Sequence, residues 1–231
     1  MISYWVLFIG IALASWAVQW NLKRKFKRYS KMPLMNGMTG KDVAEKMLYD
    51  NGLTDVKVVP TNGILTDNYN PINKTISLSE EVYSTNSVAA AAVAAHETGH
   101  AIQHAKAYAP LKMRSTLVPV VSFSSQWVMW IILAGLLLLG NGSQIGFTVG
   151  LIGIGLYAMI TLFSFITLPV EINASQRALA WLSSAGITNS YNDGAARDAL
   201  KAAAYTYVVA ALGSLATLLY YIMVFLGGRR S

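Results

Sequence analysis

The chain has 231 residues, of which 54% are hydrophobic and 13% charged, with no cysteine and a formal net charge of +7. That composition excludes an ordinary soluble domain, and the missing cysteine excludes disulfides and thiolate metal ligands alike. The positive balance does not indicate nucleic-acid binding, because the densest basic run sits beside an apolar stretch, where membrane orientation accounts for it.

In chain order, the first feature is the uncharged stretch 2–20, close to the ~20 residues that a helix needs to cross a hydrocarbon core. Lys23-Arg24-Lys25-Phe26-Lys27-Arg28 follows it. Charge after the apolar run, not before it, is the reverse of a cleaved secretory signal. The stretch therefore reads as a retained anchor, with the basic run cytoplasmic, the N-terminus outside and anionic lipid as a natural contact.

Residues 31–115 form the polar portion. Thr39-Gly40-Lys41-Asp42 opens a short helix whose apolar positions Val43, Ala44, Met47 and Leu48 recur at helical spacing, and Gly52 ends it. Residues 55–59 and 74–78 read as strands and Thr61-Asn62-Gly63 as a turn. Two or three such strands suit an edge that binds an extended peptide by strand addition.

Residues 88–95 are mostly strong helix formers and run directly into His96-Glu97-Thr98-Gly99-His100. On a helix the two imidazoles lie one turn apart on one face and can grip a single zinc ion, while Glu97 can reach an activated water as general base. Gly99 costs about 1 kcal/mol relative to Ala, and its missing side chain lets another backbone or a substrate come close.

Three further apolar stretches follow, at 117–139, 146–170 and 202–226. Asn141-Gly142-Ser143 makes a polar turn, so the middle two should form an antiparallel hairpin, with Gly146 and Gly150 at its packing face. Several tyrosines give the fourth stretch a semi-polar character. If each stretch crosses once, the histidines and residue 171 fall on one side of the membrane. That side carries 16 of the 18 basic residues and all 11 acids, so it should face the cytoplasm.

Two histidines need a third ligand. His104 lies about 12 Å along the helix axis from His96, too far to share a metal, and reads as substrate-facing or as a polar surface residue. Glu171 is the better choice: no other charged residue stands between Arg114 and it, and an acid at a membrane boundary is a functional signal. The alternative is an acid in a first helical turn, which the helix dipole favours with no metal at all.

These readings give a mainly α, multi-pass membrane protein with about four transmembrane helices and a small α+β, zincin-like catalytic portion. Residues 1–231 form a single domain, with 31–115 as its catalytic portion and 171–201 as the helical segment of the third ligand.

The chain resembles the YugP-like family of membrane zinc metallopeptidases over most of its length. The resemblance is carried by Leu65-Thr66-Asp67 with Tyr69 and Pro71, by Ile76 to Ser79, and by Ala94 to His104. Thr167 to Glu171 with Ala174-Ser175, and Ala202 to Ala204 with Thr206-Tyr207, extend it. More distantly, the layout is similar to the membrane gluzincins related to HtpX and the CAAX proteases. The resemblance implies a bacterial-type membrane peptidase that holds zinc, one ion per chain, by His96, His100 and Glu171.

Where the family has Asp-His-Tyr-Asp-Pro and Glu-Phe-Asp-Ala-Ser-Arg-Arg, this chain has Asp67-Asn68-Tyr69-Asn70-Pro71 and Glu171-Ile172-Asn173-Ala174-Ser175-Gln176-Arg177. Asn173 keeps a hydrogen-bond acceptor but lacks the charge, which weakens any part it plays in orienting a histidine. His104, Asn173 and Ser175 are candidates for supporting the site, and Tyr69, Arg177 and Tyr207 for stabilising an oxyanion. The expected partners are the lipid bilayer and protein or peptide substrates, with no nucleic acid. A catalytically inactive zinc-binding membrane scaffold is the alternative, and the intact Glu97 argues against it.

Overall fold

The computed structural model describes residues 4–141 and 143–227. Gly142 of the expected turn, Ile2 of the first stretch and the terminal Arg229 and Arg230 lie outside them. The elements in order are α1 (Tyr4–Tyr29), α2 (Gly40–Asp50), β1 (Lys57–Thr61), β2 (Asn68–Asn70), β3 (Thr75–Ser79), α3 (Glu80–Ser84) and α4 (Val88–Ala105). The long helices α5 (Ala109–Gly140), α6 (Gln144–Ser184) and α7 (Asp193–Gly227) complete the chain. Helices α1, α5, α6 and α7 are long and apolar enough to cross a membrane. The chain divides into two compact units, residues 1–16, 112–168 and 207–231 in one and 17–111 with 169–206 in the other.

The first unit holds most of the apolar length. Val128 and Ile132 of α5 pack with Tyr221 and Phe225 of α7, and Phe225 is fully buried. The expected hairpin has a concrete packing reason. A Cβ on Gly135 of α5 would meet the backbone of Gly150 at 2.8 Å, and one on Gly146 would meet the backbone of Leu139, so only glycine permits this approach. Large apolar side chains such as Trp130, Leu137 and Met223 point outward, as on a surface that lipid covers.

The second unit is built on a three-stranded sheet of order β1-β3-β2, with β3 parallel to β1 and antiparallel to β2. Ile76 and Leu78 of β3, two residues apart and hence on one face, are fully buried. They share a core with Val43, Met47 and Leu48 of α2 and with the alanines of α4. Alanine on nearly every face is what allows α4 to be enclosed, and Ala89 to Ala95 are almost all buried. Pro60 sits in β1, at the sheet edge, where a missing N–H is tolerated.

Strand β2 lacks a clear sequence signal, since its three residues carry two asparagines, which are depleted in strands, and the short α3 was likewise not read from the sequence. The helix at residue 40 forms as expected. Thr39 accepts from the Asp42 backbone N–H while the Asp42 carboxylate accepts from the Thr39 N–H, and Gly52 follows at φ +71°. The Thr39 hydroxyl, donating to the Asp42 carboxylate at 2.7 Å, and then the Thr39 N–H hold that carboxyl below its ordinary pKa. Thr39→Ala is expected to cost about 1 kcal/mol, read as roughly fivefold faster hydrogen exchange of the α2 amides, since 1.4 kcal/mol is a factor of ten.

Helix α1 runs on through the basic segment, where Lys25 Nζ lies 2.7 Å from one oxygen of Asp198, whose other oxygen accepts from Tyr29 at 2.6 Å. Glu171 is not in a first helical turn. It lies inside the 41-residue α6, two residues past Pro169, so a helix dipole does not account for it.

Candidate metal centre

Helix α4 starts at Ser87, whose Oγ accepts from the Ala90 N–H at 3.1 Å, and ends with Tyr108 N–H bonded to Gln103 O and Ala107 at φ +49°. Within it His96 and His100 stand one turn apart, their rings 4.8 Å between centroids and nearly perpendicular. Helix α6 supplies Glu171, which is only 2% exposed. Its Oε2 lies 3.3 Å from His96 Nε2 and 3.5 Å from His100 Nε2. Zinc bonds of about 2.0–2.2 Å in a tetrahedron place donor atoms roughly 3.3–3.6 Å apart, so this spacing fits the ion. The ligand atoms of all three residues lie within 4.8 Å of one another.

Gly99 explains how α6 comes so near. A Cβ there would lie 2.8 Å from the Ala174 carbonyl oxygen and 3.2 Å from its Cα, contacts with backbone that no rotamer relieves. Of the two roles open to the missing side chain, the structure shows approach by another backbone. Gly99→Ala gains about 1 kcal/mol of helix propensity against an overpacking cost of about 1–3 kcal/mol. Gly99→Val makes the outcome decisive: it should push α4 and α6 apart, lower the melting temperature and weaken metal binding together. Unchanged metal affinity in a folded Gly99→Val protein would refute this coupling.

Both histidines have their far nitrogens engaged. His96 Nδ1 is 3.1 Å from Ser175 Oγ, and His100 Nδ1 is 3.0 Å from Gln103 Oε1. With Nδ1 occupied, Nε2 is the nitrogen left to face Glu171, an arrangement that suits a metal held between them. Ser175 thus lies against His96. Gln103 is new, although a buried amide three residues past His100, on the same helix face, was a readable signal. Asn173 touches neither histidine directly; its Oδ1 accepts from Gln103 Nε2 at 3.0 Å and from Arg177 Nε at 2.8 Å.

Glu97 is buried beside the His-His-Glu group. Burial pushes its carboxyl above the ordinary carboxylate range, against the pull of His96 and His100. Burial opposes a proton on His100, yet the Glu171 and Glu97 carboxylates hold its pKa above the usual imidazole value. Asp67 is anchored by Ser79, whose N–H donates to it at 2.8 Å and whose Oγ–H donates at 3.0 Å.

His104 stands in the last turn of α4, outside the ligand group. Its Nδ1 is 3.3 Å from the Tyr69 hydroxyl on β2, and the pair borders a cavity of about 170 Å³ shared with Leu53, Asp55 and Lys74. The departures at 68 and 70 serve the local backbone: Asn68 donates to Thr66 O, and Asn70 accepts from the Ile72 N–H. Arg177 is turned toward Asn173, and Tyr207 belongs to the other unit.

A helical chain with four candidate membrane spans and a His-His-Glu group at coordination spacing is a membrane-type protein fit to hold a metal. The chain belongs to the family described as "Putative neutral zinc metallopeptidase", which matches residues 4–226. It is 42% identical over 229 residues, 99% of each chain, to the "Putative membrane protease YugP" of Bacillus subtilis (strain 168). No solved structure matches it.

Proposed function

We propose that the chain is a zinc-dependent membrane endopeptidase of the gluzincin type, with His96, His100 and Glu171 as ligands and Glu97 as general base. The observation that carries this reading is the convergence of two Nε2 atoms on one buried carboxylate oxygen, at 3.3 and 3.5 Å. Zinc bound there would lower the pKa of a water in its open position and polarise a peptide carbonyl. Glu97 accepts the proton of the attacking water and passes it to the leaving amine, work for which its raised pKa suits it.

Strand β2 stands at the sheet edge, paired only with β3 among the described residues, the position at which an extended substrate could add as a further strand. Tyr69, on that strand, is the polar side chain best placed by its element to meet such a peptide. Glu171 directly follows an apolar stretch in the sequence, so membrane proteins and their juxtamembrane segments are the substrates that suit the chain. A multi-pass location in the cell membrane with a cytoplasm-facing site follows from the charge distribution.

The test is metal analysis of the purified protein with an unfolded membrane protein as substrate. One zinc per chain is expected, with cleavage lost on chelation and restored by zinc. Undiminished cleavage by metal-free protein would reject the proposal.

A further inference from the structure

Gln103 is fully buried, and a buried amide takes the orientation that its partners impose. Two of the partners in this network admit only one role. The Val170 carbonyl, 2.8 Å away, can only accept, so the Gln103 nitrogen must face it. The Arg177 Nε, 2.8 Å from Asn173, can only donate, so the Asn173 oxygen must face the arginine. Gln103 Nε2 gives its second proton to that same oxygen at 3.0 Å. Both amide protons are then spent, and Oε1 is what remains for His100 Nδ1 at 3.0 Å. An amide oxygen only accepts, so His100 must carry a proton on Nδ1. A neutral ring fixed in this way directs its Nε2 lone pair at the ligand group.

We propose that Gln103, locked by Asn173 and Arg177, is a positioning residue that sets the tautomer and ring direction of His100 as a metal ligand. His96 has no equivalent lock, because the Ser175 hydroxyl beside its Nδ1 can donate or accept and so permits either tautomer. The two histidines are therefore held differently: His100 is preset by an amide relay reaching from Arg177 through Asn173, while His96 adjusts.

The inference rests on the zinc reading above and is tested by equilibrium zinc affinity, using competition with a chromophoric chelator on the full chain in detergent. Gln103→Met preserves volume and apolar packing but removes the acceptor; it should weaken zinc binding about 10- to 100-fold, the usual effect of losing a group that orients a ligand. Asn173→Leu should weaken it in the same direction, whereas Asn173→Asp, which keeps both acceptor bonds, should stay within about threefold of wild type. Melting curves in excess chelator identify any variant that has not folded. Wild-type affinity in a folded Gln103→Met protein would overturn the inference. If Gln103→Met does not fold, equal affinities for Asn173→Leu and Asn173→Asp would overturn it. Failure of the wild type to bind zinc strikes the zinc reading itself, and the two failures are thereby distinguishable.

Discussion

Glu97→Gln is expected to retain one zinc per chain and to lose cleavage by about a hundredfold to ten-thousandfold, the contribution of a positioned general base. The substitution keeps the shape of the side chain, so packing around α4 should survive. What it removes is the oxygen that can take a proton. Zinc retention follows from the geometry, because the converging ligand atoms belong to His96, His100 and Glu171 and not to Glu97. Metal content and initial cleavage rates measured on the same preparation separate the two effects. A Glu97→Gln protein that cleaves as fast as wild type would remove Glu97 from the chemistry and return the chain to the zinc-binding scaffold reading.

Much of the site was legible because helical periodicity is a short-range rule. His96 and His100 need only one turn between them, and the alanine run before them announces the helix that supplies it. The capping box at Thr39 and the glycine at 52 were equally local. Glu171 was legible for a different reason: one acid in a long uncharged interval marks itself by isolation. The setting of that acid was not, since Pro169 reads as a boundary between the apolar stretch and a new polar helix, whereas α6 runs through it.

The amide relay was beyond sequence reading because its members come from positions about 70 residues apart, and only packing of α4 on α6 brings Gln103 to Val170 and Asn173. Strand β2 was missed because a three-residue edge strand owes its existence to its partner β3 more than to its own composition.

Glu171→Ala should abolish high-affinity zinc binding, an effect larger than the 10- to 100-fold loss typical of groups that merely orient a ligand. The contrast with Glu97→Gln is the informative part, since both variants should fail to cleave but only one should be without metal. Folding must be separated from ligation, and linkage does so. A ligand present at about a thousand times its Kd stabilises the folded state by about 4 kcal/mol, so wild type should melt several degrees higher with zinc than with chelator. For Glu171→Ala the two melting curves should coincide. The metal-free variant need not be less stable than metal-free wild type, because the substitution removes a buried carboxylate whose desolvation is costly. A zinc-dependent rise in melting temperature that survives in Glu171→Ala would show that the two imidazoles bind the ion without this carboxylate, and Glu171 would then be no ligand.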